Sequence, residues 1–463
     1  MKCWLVMNDL THPLTARITA SQAAGKGGVV SLADYESAGG YSGARKAVLE
    51  MSSADVQQLV LDAGLRGRGG AGFPAGQKWK FVGIDAKRLP GSTYLVCNAD
   101  EMEPGTFKDR FLLEHDPHML VEGMIIAAHA IQADHAYIFI RGEYQVAAQQ
   151  LAKAITEAEA KGYLGNSVFG GGYSLRLRVH SSGGRYICGE ETALLNALEG
   201  KRAQPRSKPP FPPVSGAWGR PTVVNNAETL CNVPGILRNG GDWYQGLGKG
   251  DDAGTKMFGV SGKVNKPGLW ELPMGTTIRE LLEERAGGMR PGYTFRGLLP
   301  GGASTDFLVE QHLDLPMEYA TIQKAGSRMG TGTMIIVDDS VCIVDLSRNL
   351  QHFFAQESCG FCTPCRDGLP WLERLLTDIE EGRGTAADLE MLERNARFIG
   401  APGNTFCLHA TGAIEPLASA LKYFREDFEA HIKLGRCPLK HATAETRAET
   451  RAETRAERKA DKK

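Results

Sequence analysis

Cys359, Cys362 and Cys365 stand at C-x-x-C-x-x-C spacing within Ser358-Cys359-Gly360-Phe361-Cys362-Thr363-Pro364-Cys365-Arg366. Three thiolates in one tight loop can occupy three corners of a cubane, whereas a zinc site usually draws paired ligands from two separate knuckles. The spacing therefore predicts a [4Fe-4S] cluster, with zinc or unligated thiols as the alternatives. A ferredoxin run would supply its fourth Cys four residues after Cys365, but Leu369 stands there, so the last ligand lies farther along. Cys407 and Cys437 are the downstream candidates. The Cys437-Pro438 pair favours Cys437, yet it borders a charged tail, while Cys407 lies between helical segments able to fold back over the loop. Spacing alone does not separate them.

Three further segments carry chemistry. Arg66 to Trp79 contains a formal G-x-G-x-x-G with Gly67, Gly69, Gly70 and Gly72. A Rossmann fingerprint needs a strand before the glycines and a helix directly after them. Here a helical pattern precedes and Pro74 follows, which disfavours the ordinary dinucleotide fold. Backbone open to a flat or anionic ligand remains, with Arg66, Arg68 and Lys78 to meet phosphate; a flexible surface loop is the plainer reading. Next, Asn98, Asp100, Glu101 and Glu103 crowd together after an apolar strand. Carboxylates there can accept hydrogen bonds from ribose, ribityl or flavin groups, and Glu103 can repel a 2′-phosphate; a solvated acidic turn is the alternative. Finally, Gly183-Gly184 leads through Tyr186 and Gly189 to Glu190 and Glu191 at the start of an amphipathic helix. Such a helix start offers backbone donors, although acids there also simply complement the helix dipole. Lys208 to Pro213, with Phe211, is a stiff stretch that could clamp a ring, and Asn225, Asn226 and Thr229 add neutral donors and acceptors.

The elements that must position these residues alternate. Apolar periodicity predicts helices at 54–65, 119–132 and 144–161 and buried strands at 95–97 and 136–140, an α/β layer structure. Residues 255–340 read as a small α+β module, with strands near 257–264 and 334–337, a helix at 277–286 and turns at Pro291-Gly292 and Pro300-Gly301-Gly302. From Ile343 onward the pattern is helical, at 347–355, 369–381, 386–399 and 413–424, with the cysteine loop between the first two. The expected organisation is an N-terminal, largely irregular leader at 1–54, an α/β ligand-binding domain at 55–254, the small module at 255–341, the metal-bearing helical domain at 342–440 and a tail at 441–463.

The chain has 463 residues, 42% of them hydrophobic, and a net charge of −1, so large cores are possible and no general attraction to nucleic acid or an anionic membrane surface is implied. Met1 to Met7 is halted by Asn8-Asp9 before a signal-peptide core forms, and no apolar run reaches the ~18 residues of a membrane span. These features predict a cytoplasmic protein in a reducing compartment, its ten cysteines serving metal ligation rather than disulfides. The tail repeats Ala-Glu-Thr-Arg three times from Ala444; its i,i+4 spacing stacks like charges, and disorder is expected.

With these motifs in view the chain resembles the NADH-binding flavoprotein subunits of respiratory NADH:quinone oxidoreductase (complex I). The likeness rests on Gly67-Arg68-Gly69-Gly70-Ala71-Gly72-Phe73, Asn98-Ala99-Asp100-Glu101, Tyr186-Ile187-Cys188-Gly189-Glu190-Glu191-Thr192, Glu357-Ser358-Cys359-Gly360 and Thr405-Phe406-Cys407, and runs from about Thr11 to Arg425. It implies an FMN-binding, non-classical Rossmann-like α/β domain, a ubiquitin-like β-grasp (SLBB-like) module and a C-terminal four-helix bundle with one [4Fe-4S] cluster, and it selects Cys407 as fourth ligand. By position, Gly67, Arg68, Gly69, Gly70, Gly72, Lys78, Asn98, Asp100, Glu101, Gly189, Glu190, Asn225, Asn226 and Thr229 would surround FMN. Phe73, Phe81, Glu103, Tyr186, Glu191, Lys208 and Phe211 would contact NADH stacked on the flavin, with Glu103, Tyr186 and Glu191 nearest the reacting rings.

The implied activity is hydride transfer from NADH to FMN and single-electron delivery to the cluster, the protein's task being to stack two rings. Onward transfer to quinone would need a thioredoxin-like [2Fe-2S] subunit, a large multi-cluster Fe-S subunit and, indirectly, a membrane arm, on the cytoplasmic face of the inner membrane. Two other readings stand beside it: a diaphorase subunit of a soluble NAD-linked hydrogenase or formate dehydrogenase, which would use the same FMN, NADH and cluster sites, and a non-catalytic Fe-S scaffold that has lost nucleotide binding. The scaffold would be expected to lack several of Lys78, Asp100, Glu103 and Glu191, and all are present.

Overall fold

The computed structural model describes residues 10–84 and 91–440. The repeat tail and the first nine residues of the expected leader lie outside them. Strands β1 (Tyr94–Ala99), β2 (His135–Ile140), β3 (Arg176–Ser181) and β4 (Thr222–Asn226) form a sheet in the order β3-β2-β1-β4, and every pair is parallel. Both faces of β1 are covered: Leu95 and Cys97 enter one core, and Val96 enters another with Phe139, Ile187 and Leu194. That explains its unbroken apolar run. The chain steps outward from β1 to β2 to β3 and then returns to the far side of β1 as β4. This reversal leaves a crevice at the carboxyl ends of β1 and β4, where open parallel sheets bind ligands.

The expectation of a largely irregular leader is corrected. Helices Ala16–Ala23, Leu32–Ser37 and Ser42–Glu50 occupy it, and Leu14, Ile18, Tyr35, Tyr41, Ala44 and Ala47 are buried in the same core as β1. Alanine and glycine let these helices approach closely while giving little apolar contrast, which hides them from a periodicity search. The Ser53–Asp62 helix begins at a capping box between Ser52 and Asp55.

A second sheet contains β5 (Thr255–Ser261), β6 (Gly268–Pro273), β7 (Phe295–Leu299) and β8 (Thr333–Asp338) in the order β6-β5-β8-β7. Its central pair β5-β8 is parallel and the outer pairs are antiparallel. The helix expected at 277–286 is a short, wide helical segment, Glu280–Arg285, that buries Leu281 and Leu282. Beyond β8, helices Ile343–Glu357, Gly368–Glu380, Ala386–Gly400 and His409–Tyr423 share a core built on Phe354, Leu369, Leu372, Leu376, Leu392 and Leu417. A further helix, Arg425–Leu434, seals it with Phe428.

The two sheets meet at a buried ionic knot. Glu228 Oε2 lies 2.9 Å from Lys108 Nζ and 3.3 Å from Lys256 Nζ, and its Oε1 accepts from Met257 N at 2.8 Å. Lys108 also meets Asp109 at 2.8 Å. Removing one member of such a set strands the others in low dielectric, at a cost of roughly 3–5 kcal/mol. Glu228→Gln is expected to lower thermal stability by about that amount, read by calorimetry or circular dichroism; an unchanged unfolding temperature would show that the knot adds no net stability.

Candidate functional site

Asn98 of β1 pairs in register with Asn226 of β4, and the conspicuous segments converge on this edge. The glycine loop lies against it: Arg68 N donates to Thr229 Oγ1 at 2.8 Å, and a Cβ on Gly69 would approach Asn226 Cβ to 2.9 Å. Gly72 has φ +65°, and a Cβ there would fall 2.4 Å from the Tyr319 ring, so this turn accepts glycine for both conformation and space. Asn226 caps the Ala227–Asn239 helix through Thr229 N and donates to Asp109 at 2.6 Å. Asn225 Oδ1 accepts from Trp79 Nε1 at 2.8 Å.

Two expectations for charged residues are corrected. Arg66 and Arg68 do not extend guanidinium groups toward a phosphate. Arg66 pairs with Asp252 at 2.9 Å and donates to Gly72 O, while Arg68 is fully buried and reaches Tyr244 and Ala253 O. Both fasten the loop from beneath, leaving Lys78 as the cation of that segment beside the crevice. Glu101 also turns inward: its carboxylate accepts from Asp109 N, Arg110 N and Tyr144 Oη, and burial raises its pKa to about 7.

Asp100 behaves differently. Ser182 Oγ donates to its Oδ1 at 2.8 Å, while Oδ2 is buried with no donor among the described residues. Burial pushes this carboxyl up to about 6. An unpaired buried acceptor costs about 1–3 kcal/mol, which a ligand N-H or O-H would relieve. Across the crevice Asn98 Nδ2 donates to Gly189 O at 3.1 Å, and a Cβ on Gly189 would meet nothing within 4 Å. An open carboxylate acceptor beside side-chain-free backbone therefore fits a flavin ring N-H or a ribityl hydroxyl.

At the mouth, Glu191 lies 2.8 Å from Lys78 and 3.3 Å from Lys208. Burial pushes its carboxyl up, but the two ammonium groups outweigh this and hold it below the usual range. Glu190 caps the Glu191–Leu198 helix, accepting from Thr192 N and Ala193 N at 2.9 Å each. Phe73, Phe81 and Phe211 are 46%, 53% and 56% exposed, a costly display unless a flat ligand stacks there. Glu103 accepts from Tyr186 Oη and Ser304 N, both at 2.6 Å. The Tyr186 ring packs edge-on to Phe353 and His409 of the helical domain. Sequence reading gave no role to Ser182 and Ser304, common residue types outside any motif, nor to Trp79 at the end of the glycine-loop segment; only the fold brings each to the site.

Cys359, Cys362, Cys365 and Cys407 line one cavity with Ile187, Phe361, Phe406 and His409. Burial and the neighbouring thiols push Cys365 up to about 12 and Cys407 up to about 11. A cationic metal centre would favour the thiolate forms of these two. Among the described residues one set of ligand atoms lies wholly within 4.8 Å, and it is elsewhere. No three of these four sulfurs therefore lie within 4.8 Å of one another, a wider spread than the about 3.8 Å between thiolates on one tetrahedral zinc. Cys437 is buried away from this cavity, outside its lining.

Fold and site together define a two-centre redox protein, with a crevice at the carboxyl ends of β1 and β4 on one side of the Tyr186–Gly189 turn and a thiol-lined cavity on the other. A family model described as the Nuo51 FMN-binding domain matches residues 60–235, an SLBB domain matches 257–307, and an NADH-ubiquinone oxidoreductase-F iron-sulfur binding region matches 345–431. The F subunit of NADH-quinone oxidoreductase from Escherichia coli (strain K12) is 58% identical over 429 residues, covering 93% of this chain and 95% of that one. The Streptomyces coelicolor protein of the same name is 48% identical, covering 87% and 88%. The chain belongs to the family of NADH-quinone oxidoreductase F subunits. Among solved structures, an NAD+-reducing [NiFe]-hydrogenase in the H2-reduced state superposes with a TM-score of 0.74 at 38% identity, over 84% of this chain and 64% of the hydrogenase chain. This chain thus spans less than two thirds of that one.

Asp100→Asn would turn an amide N-H toward any ligand donor. FMN retention is expected to fall at least about tenfold, the worth of one charge-assisted hydrogen bond, while the flavin-free protein keeps or gains thermal stability at pH 8. Unchanged flavin affinity would remove Asp100 from the site.

Proposed function

We propose that this chain is the electron-input subunit of an NADH:quinone oxidoreductase, taking two electrons from NADH and handing them on singly. When bound, FMN supplies the hydride acceptor and a [4Fe-4S] cluster the one-electron acceptor. In this reading Gly67, Gly69, Gly70, Gly72, Lys78, Asn98, Asp100, Gly189, Glu190, Asn225 and Asn226 surround FMN, with Arg68, Glu101 and Thr229 holding the walls from behind. Phe73, Phe81, Phe211, Lys208 and Glu191 hold the dinucleotide, and Glu103 and Tyr186 border its reacting end. Cys359, Cys362, Cys365 and Cys407 ligate the cluster.

The observation that carries this reading is the Tyr186–Gly189 turn. Gly189 O faces Asn98 at the flavin crevice, and Ile187 lines the thiol cavity. Their Cα atoms are at most about 7 Å apart along the chain. A single short segment thus separates the two centres, as direct electron transfer needs. The chain's residues perform no acid-base step: they stack the rings, exclude water and fix orientation.

The finer architecture rests on the same family reading. The mixed sheet β6-β5-β8-β7 supports a ubiquitin-like β-grasp module at 255–341, and the four helices that share one core beyond β8 support a four-helix bundle at 342–440. The α/β domain at 55–254 then also takes in the helices before it. A thioredoxin-like [2Fe-2S] subunit and a large multi-cluster Fe-S subunit are the proposed neighbours, linking this chain to a membrane arm at the cytoplasmic face. No helix of the described residues is long and apolar enough to cross a membrane. Phe361, Phe406 and Leu408, which are exposed beside the cavity, suit the approach of a further carrier. The hydrogenase likeness at 38% identity supports a diaphorase as second reading, and the 58% identity to the quinone-reductase relative favours the first.

Glu103→Gln is expected to raise NADPH use relative to NADH by about tenfold or more, since a like-charge contact costs several kcal/mol. Steady-state kcat/KM for both nucleotides measures this, and an unchanged ratio takes Glu103 out of nucleotide selection. Cys407→Ala should abolish the cluster's paramagnetic signal while Cys437→Ala leaves it intact. The opposite pattern would exchange their roles.

A further inference from the structure

Cys437, the downstream candidate that lies outside the thiol cavity, has three ligand-type neighbours. Together with Cys342, Glu380 and His431 it offers four ligand atoms that all lie within 4.8 Å of one another. The individual separations are short: Cys342 Sγ to His431 Nε2 is 3.3 Å, Cys342 Sγ to Glu380 Oε2 is 3.2 Å, and His431 Nε2 to Glu380 Oε2 is 3.1 Å. Ligand atoms 2.0–2.3 Å from one tetrahedral ion stand roughly 3.3–3.8 Å apart, so slight expansion accommodates a metal at the centre. The four residues are 8%, 5%, 2% and 1% exposed for Cys342, Glu380, His431 and Cys437.

The surroundings suit a metal. His431 Nδ1 lies 2.6 Å from Asp427 O, a bond that places its proton on Nδ1 and turns the Nε2 lone pair to the centre, as ligating histidines require. Two thiolates and a carboxylate around a divalent ion carry one excess negative charge. The Lys440 ammonium, 2.9 Å from Glu380 Oε1, offsets it. We propose that Cys342, Glu380, His431 and Cys437 form a structural zinc site distinct from the iron-sulfur cavity. Mixed sulfur, nitrogen and oxygen ligands suit zinc, and four protein ligands close the shell and leave no position for substrate.

The site has mechanical sense. Cys342 precedes the Ile343–Glu357 helix, Glu380 ends the Gly368–Glu380 helix, His431 lies in the Arg425–Leu434 helix, and Cys437 comes just after the left-handed Gly435 turn. One ion would staple four segments and pin the chain up to Lys440 against the base of the helical domain, opposite in role to the redox cluster.

The test uses the full chain loaded with FMN and iron-sulfur cluster, grown with zinc. Elemental analysis is expected to find about one zinc per chain beyond the cluster iron, and zinc-edge X-ray absorption to show two sulfur neighbours with nitrogen and oxygen at about 2.0–2.3 Å. Cys437→Ser and, separately, His431→Gln should each lose most of the zinc and unfold at lower temperature, while the 450 nm flavin band and the cluster's paramagnetic signal persist. Wild-type chain holding less than about a tenth of an equivalent of zinc at full cluster occupancy, zinc with four sulfur neighbours, or a Cys342–Cys437 disulfide in mass spectra would each overturn the proposal. Because the flavin and cluster signals are read separately, failure of the zinc site leaves the proposed electron-input function standing, and the reverse.

Discussion

Glu228 is the carboxylate on which the rest of the arrangement depends. It sits at the start of the helix after β4, faces two buried ammonium groups from different domains, and accepts the Met257 amide at the start of the second sheet. Lys256 in turn donates to Arg68 O in the glycine loop at 3.1 Å. Burial lowers Lys256 to about 7 despite the attraction of Glu228, as a dry junction dictates. A buried ionic set adds little net stability compared with apolar packing, but it tolerates one geometry. Here that geometry fixes the loop, the ends of β1 and β4, and the second domain relative to one another.

The second constraint is closeness of two redox centres built from distant parts of the sequence. The Tyr186–Gly189 turn satisfies it in the proposed arrangement by serving both: Gly189 O faces Asn98 at the crevice, Ile187 lines the thiol cavity, and Tyr186 N donates to Glu357 Oε2 at 2.8 Å just before the cysteine loop. Arg202 reinforces the junction by donating to Cys359 O at 3.2 Å. Electron transfer needs short distance and rigidity rather than acid-base groups, and the buried aromatic packing of Tyr186 with Phe353, Phe354 and His409 supplies rigidity.

Motif chemistry is the legible part of the sequence. Cysteine spacing, the glycine loop, the acid turn and the helix start at Glu190 all lie where the crevice and cavity form, because each is a local pattern with a local physical cause. Direction is harder to read. Arg68 and Glu101 look like ligand-facing charges, yet one enters the core and the other caps a helix, since partners such as Tyr244 and Asp109 N are supplied by tertiary contact. The leader helices are obscured by their alanine and glycine content. Strand β3, Arg176-Leu177-Arg178-Val179-His180-Ser181, is hidden because its polar alternation marks an edge strand rather than a buried one. Cys437 shows the same limit from the other side: spacing offers it to the cluster, yet it is buried outside the thiol cavity, beside Cys342, Glu380 and His431.

The contact between Gly72 and Tyr319 bears on how such proteins are assembled over evolutionary time. The ring that occupies the space a side chain would need belongs to the small module, and its hydroxyl donates to Gly67 O at 2.6 Å. A flavin module cut free at its own boundary would carry a nucleotide loop with its outer wall missing. Gene fusion and reshuffling among redox enzymes would then conserve these two modules as an inherited pair, leaving variation to the segments beyond them.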